Sequence, residues 1–141
     1  MLSDALAAPG DVVAVSALAE GADSLFAEVA LLMQVPLEIV RPFARYAEDF
    51  DTASSRSRYR TLAASARNET RLEFTERSTD AYKAAMQWVV ENCDLLVGVW
   101  DGAPSRRRGS TAQAIRHARL IGRRVIHLDV ARLAVTRRDT A

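Results

Sequence analysis

Arg106, Arg107 and Arg108 stand directly before Gly109-Ser110-Thr111, and that order of residue types suits the capture of an anion. Glycine lets a backbone approach a ligand closely, and serine or threonine caps a helix whose first N–H groups have no intrahelical acceptor. The helix dipole favours negative charge at that end, so phosphate is the ligand class such a turn takes. Upstream runs Asp94-Leu-Leu-Val-Gly-Val-Trp100-Asp101-Gly102, an apolar strand pattern closing on a tight turn. There Trp100 could wall a pocket or stack on a base, and Asp101 could take a ribose hydroxyl. The plainer alternative is a capped helix after a solvated arginine loop, with Trp100 covering core and Asp101 forming an Asx turn.

A second turn of the same build is Ser16-Ala-Leu-Ala19-Glu20-Gly21-Ala22-Asp23, also between an apolar run and a helical pattern. The candidate ligand-binding residues are therefore Ala19, Glu20, Gly21 and Asp23 in one turn, and Trp100, Asp101, Gly102, Arg108, Gly109, Ser110 and Thr111 in the other. Tyr46 and Asp49, in the loop after the second strand, are further candidates. No catalytic residue and no metal ligand is assigned. His117 reads as a surface residue among arginines and His127 as strand core or edge; neither they nor Cys93 has neighbours at metal-ligand spacing. No nucleophile-elbow pattern or Ser-His-Asp order occurs.

The elements that must position these turns alternate along the chain. Asp11–Ser16 reads as a buried strand, and Asp23 or a neighbour caps a helix to about Gln34. Pro36–Arg41 is the next strand, ended by Pro42. Asp51 or Thr52 opens a polar, arginine-rich helix to about Arg67; Arg71–Thr75 is a short strand; Ser78 caps a helix to Asn92. The strand, helix ending at Gly122, and strand through Asp129 complete the order, with the tail from Ala131 and residues 1–8 expected to be poorly ordered. Such alternation predicts an α/β fold: a three-layer Rossmann-like sandwich, with a mostly parallel sheet of about five strands and helices on both faces. Ligands in such sheets bind beyond the carboxyl ends of the strands, which puts both turns on one edge of a single domain spanning 1–141.

Composition narrows the function classes. With 141 residues, 49% hydrophobic, the chain can bury a core. A net charge of +1 gives no global pull toward nucleic acid or an anionic membrane. A single cysteine excludes an internal disulfide and fits a reducing, cytoplasmic setting. No run reaches the ~18–20 apolar residues of a membrane span, and the start lacks a secretion-signal pattern. Lys83 is the only lysine, which reads as a compositional bias toward arginine.

Three segments in order resemble one family: Ser16-Ala-Leu-Ala-Glu-Gly-Ala-Asp23, Pro42-Phe43…Tyr46…Asp49-Phe50, and Cys93-Asp94…Trp100-Asp101-Gly102…Arg108-Gly109-Ser110-Thr111-Ala112. They look like the SLOG-type small bacterial Rossmann-like proteins, the superfamily uniting the DNA-processing protein A fold with the Lonely Guy phosphoribohydrolases. The likeness runs from about Val12 to Val130. It implies a pocket for a nucleotide or nucleotide derivative (AMP, ADP-ribose or NAD-like), often on a homo-oligomeric domain. Members usually begin with a further strand ending in a Gly-Thr-Gly-His-Arg-like turn; residues 1–8 hold nothing similar, so that strand is expected to be lacking. Phosphoribohydrolase relatives carry a catalytic glutamate three residues after the motif threonine, where Ala114 stands here after Gln113. Hydrolysis would lack the carboxylate that stabilises an oxocarbenium-like transition state.

Three functions follow in order of preference: a nucleotide-binding sensor module; a nucleotide N-glycosidic hydrolase using Glu20 or Asp101 in place of the missing glutamate; and a single-stranded DNA binder using Arg106–Arg108 and Arg123–Arg124. The helix Ala22–Gln34, apolar nearly all round, and the alanine-rich face from Ala81 to Val90 imply a homodimer or larger assembly.

Overall fold

Runs of β-branched and aliphatic residues too short for helices form strands here, and between them capping residues open helices. The computed structural model describes residues 12–104 and 110–138. It divides into two compact units, one reaching Arg77 and one starting at Ser78, each considered in its own frame.

The first unit comprises β1 (Ala14–Ser16), α1 (Ala22–Leu32), β2 (Leu37–Phe43), a 3-10 turn (Tyr46–Asp49), α2 (Ala53–Ala64) and β3 (Asn68–Phe74). Its sheet has the order β1-β2-β3 with both pairs parallel, Ala14 opposite Leu37 and Ile39 opposite Glu69. The central strand buries Leu37, Ile39, Val40 and Phe43 almost completely, as a parallel strand with neighbours on both sides should. Pro42 was expected to end this strand, but β2 continues through it with Pro42 fully buried. The register with β3 shifts between Arg41 and Phe43, and an irregularity of that kind accommodates a residue with no N–H to donate.

Small residues seat α1: Ser24, Ala27 and Ala30 are its buried face, while Leu25 and Leu32 stay 57% and 83% exposed. Thr52 opens α2 through a reciprocal cap, its Oγ1 accepting from Ser55 N–H at 3.0 Å while Ser55 Oγ accepts from Thr52 N–H at 3.1 Å. Arg58 of α2 then grips the Glu28 carboxylate of α1 with two donors, at 2.5 and 2.8 Å. Beneath them Tyr46 meets Phe43, Phe50 and Tyr59 edge-on at 5.3–5.5 Å, and Phe50 stacks on Tyr59 at 4.9 Å.

The second unit comprises α3 (Thr79–Glu91), β4 (Leu95–Trp100), α4 (Thr111–Leu120), β5 (Arg124–Asp129) and β6 (Ala134–Arg138). Ser78 caps α3, as its sequence position predicts, with Oγ accepting from Ala81 N–H at 3.0 Å. Strands β4 and β5 are parallel and β6 is antiparallel to β5. The core is Val90, Leu96, Ile115, Ala118 and Val125, with Met86, Val89, Trp100 and Ala114 packed against it.

The α/β character and the parallel pairing match expectation. In place of one sheet of about five strands, the described residues form six strands in two three-stranded sheets. Periodicity reveals strands but not their neighbours, which accounts for the difference. The sixth strand was read as frayed tail. All five of its residues are exposed, so it carries no apolar alternation; backbone pairing to β5, with Val135 opposite Leu128, orders it instead. Among the described residues no helix is long and apolar enough to cross a membrane.

One close approach fixes how α4 lies on β4. A Cβ added at Gly98 would sit 2.7 Å from Ile115 Cδ1 and 3.0 Å from Cγ1. Gly98→Ala should therefore cost about 1–3 kcal/mol in denaturant unfolding. Ile115→Val removes Cδ1, so the double variant should be more stable than the sum of the two single losses. Strict additivity would show that this contact does not set the helix–strand distance.

Candidate functional site

In the first unit the turn after β1 is closed by its own side chains. Ser16 is buried, and its Oγ accepts from Leu18 N–H at 3.0 Å. Leu18 is fully buried yet has φ +55°, a left-handed backbone that is costly for a branched apolar residue. Burying a leucine side chain contributes about 1.5–3 kcal/mol, enough to hold that conformation. Ala19 carbonyl then accepts from both Ser24 N–H (3.2 Å) and Ser24 Oγ (2.9 Å).

Asp23 or a neighbour was expected to cap the following helix. The N-cap is Gly21, at φ +100°, with no side-chain cap. Asp23 lies in the first turn instead, half-buried. Burial pushes its carboxyl above the ordinary carboxylate range, and a hydrogen bond from the Ala19 backbone opposes the rise. Glu20 and Gly21 are exposed, while Asp23 and the Ala19 backbone are engaged inside the turn.

Glu20 and Ser24 also line a cleft of about 130 Å3 with Phe50, Thr52, Ser54, Ser55 and Arg58, between the starts of α1 and α2. Sequence reasoning missed the α2 side of this cleft. Thr52 followed by a serine three residues on was its only signal, a capping pattern that says nothing about a neighbour. Four of its six polar side chains are committed: Ser55 and Thr52 to each other, Ser24 to Ala19, and Arg58 to Glu28. Tyr46 is 3% exposed inside the aromatic cluster, which makes it core rather than pocket wall. Asp49 Oδ1 meets Arg77 at 3.3 Å.

In the second unit, β4 delivers Trp100 and Asp101 at its carboxyl end. The Trp100 indole N–H donates to Ala103 carbonyl at 2.9 Å, and its ring lies 5.2 Å from that of His127, tilted by 33°. His127 Nε2 is 2.8 Å from Trp100 carbonyl, so the ring donates there from its Nε2–H. Asp101 Oδ1 accepts from Ala103 N–H at 2.9 Å, the Asx turn weighed as the alternative, and Gly102 takes φ +85° beside it. Asp129, paired in register with Trp100, closes the opposite turn by accepting from Ala131 and Arg132 N–H groups at 3.0 Å. His127 and Asp129 share a face with Val125 by strand alternation; that period was legible, but their association with Trp100 needed the register.

Ser110 caps α4, its Oγ accepting from Gln113 N–H at 3.3 Å, and Thr111 is the exposed first residue of the helix. Arg108 and Gly109, with Arg106 and Arg107, lie outside the described residues. His117, expected on the surface, is half-buried and faces Glu91 at 3.5 Å. Burial raises the Cys93 thiol above its ordinary value, against a smaller pull from Arg123, so it is a poor nucleophile. Among the described residues no cluster of three or more His, Cys, Asp or Glu could hold a metal ion.

No protein-family model matches this chain, and no curated protein matches it.

The raised Asp23 carboxyl gives a pH test. The folded state binds this proton more tightly than the unfolded chain. The stability it contributes is therefore complete below the unfolded value of 3.8 and is lost as pH rises through the folded value. Asp23→Asn keeps an acceptor for Ala19 N–H and removes the buried charge. It should melt higher than the parent at about pH 7, with the advantage shrinking toward about pH 4. A constant difference across that range would show that Asp23 ionises without hindrance.

Proposed function

We propose that this protein is a small SLOG-type module that binds a nucleotide or nucleotide derivative such as AMP, ADP-ribose or NAD. In this reading the phosphate sits on the Gly109-Ser110-Thr111 turn at the start of α4. The observation that carries it is a helix N-terminus capped by Ser110 in the same unit as the carboxyl end of β4, which holds Trp100 and Asp101. The cap occupies Ser110 Oγ and the Gln113 N–H, which leaves the backbone N–H groups of Thr111 and Ala112 as the first-turn donors suited to an anion. Trp100 and Asp101 would then contact the nucleoside.

Support for hydrolysis is weaker than for binding. Ala114 packs on the core where the phosphoribohydrolases carry their glutamate, and Asp101 Oδ1 already serves its own turn. The module works as a homodimer in a reducing, cytoplasmic setting. The exposed Leu25 and Leu32 on α1 and the lone cysteine support those two statements.

Two measurements test this. A melting-temperature panel with AMP, ADP-ribose, NAD and cyclic nucleotides should show a shift of several degrees for at least one. Ligand at a hundredfold excess over Kd adds about 2.7 kcal/mol to stability. No shift at millimolar concentrations of any of them rejects the binding reading. Light scattering at tens of micromolar protein should give a dimer mass that Leu32→Glu lowers; a monomer throughout rejects the assembly.

A further inference from the structure

Side chains of α3 and α4 enclose a second groove, of about 230 Å3. Its walls repeat at helical spacing: Lys83 and Met86 from α3, Gln113, Arg116 and Leu120 from α4. Two features distinguish it from a packing defect. Lys83 and Arg116 approach it from separate helices, and among the described residues neither has a carboxylate partner. The same lining holds Met86 and Leu120, the latter 77% exposed with Ile121 next in sequence at 42%, so apolar surface is presented to solvent there.

The size decides the kind of occupant. Pockets that enclose a whole small ligand run to about 300–1,000 Å3, and this one is smaller. It can take one or two side chains from a segment lying along the helices. An amphipathic helix in an interhelical groove docks by apolar anchors, and methionine adapts to their shape. Among the described residues no aspartate or glutamate lines the groove, and its charged lining is cationic, with the half-buried His117 facing Glu91 on the α3 side. A segment carrying carboxylates beside its anchors would bring opposite charge to both walls.

We propose that the α3–α4 groove docks a short helical segment of a partner protein, with leucine-like anchors on Met86 and Leu120 and carboxylates meeting Lys83 and Arg116. The proposal is independent of the nucleotide reading, since it uses no residue of the β4–α4 turn.

Fluorescence anisotropy tests it with two labelled peptides of about twelve residues. One has Leu at helical spacing flanked by Glu, and the other has every Glu replaced by Lys. The Glu peptide should bind the full chain, and binding should weaken as salt is raised. The Lys peptide should not bind. Lys83→Glu with Arg116→Glu, and separately Leu120→Asp, should each weaken binding by at least about tenfold. Both sets lie on exposed or half-buried positions, and far-UV circular dichroism with a melting curve verifies that each variant is folded. No binding of the Glu peptide at millimolar concentration, equal binding of the Lys peptide, or unchanged affinity in the folded variants overturns the proposal. So does displacement of the peptide by AMP, which makes the groove a small-anion site. Loss of dimer mass in Leu120→Asp without loss of peptide affinity would assign this face to a second copy and also overturns it.

Discussion

Two parallel strands cannot be joined by a hairpin, because the chain leaving one must travel the length of the sheet before entering the next. Here that requirement governs β1 to β2, β2 to β3 and β4 to β5, and each return journey is made by a helix. Each helix therefore begins beyond the carboxyl end of a strand, where first-turn N–H groups face solvent. The turns that follow β1, β2 and β4 are consequences of that constraint before they are features of any function. The antiparallel return from β5 to β6 escapes it, and needs only Val130 to Leu133 to reverse the chain.

Close seating is the second requirement, and small side chains meet it. Ala27 and Ala30 let α1 lie on its sheet, while Gly98 and Ala118 let α4 lie on β4 and β5. Three polar side chains drawn in with these elements are answered locally: Ser16 by Leu18, Ser24 by Ala19, and Asp129 by the two N–H groups that follow it. Three helices open on a hydroxyl cap from Thr52, Ser78 or Ser110. Only α1 opens on a glycine with no side-chain cap, and there a half-buried carboxyl, Asp23, occupies the first turn instead.

The sequence was most legible where one residue type has one local use. Ser78 as a cap, Thr52 as one of two candidates for another, Ser110 in the capping alternative and the aliphatic cores of β2 and β4 all read directly. It was least legible where the outcome depends on a partner distant in the chain. Pro42 stops a strand in isolation, but a register shift against β3 carries β2 past it. The pairing that orders Ala134–Arg138 leaves no trace in hydropathy, since every one of those residues is exposed. Leu18 illustrates the same limit in reverse: nothing local predicts a buried leucine at positive φ, because the space that holds its side chain is made elsewhere. At the candidate site, Asp101 was legible as a turn former, while the meeting of Trp100 with His127 awaited the β4–β5 register.

Lys83 has a practical side. It is the sole lysine of this sequence and sits half-buried on the wall of the α3–α4 groove. Apart from the amino terminus, an amine-directed reagent thus has a single side chain to find. A fluorophore or crosslinker attached there would report from the groove without any engineered handle. Acylation of that one nitrogen would also remove half of the cationic pair that Lys83 forms with Arg116 there.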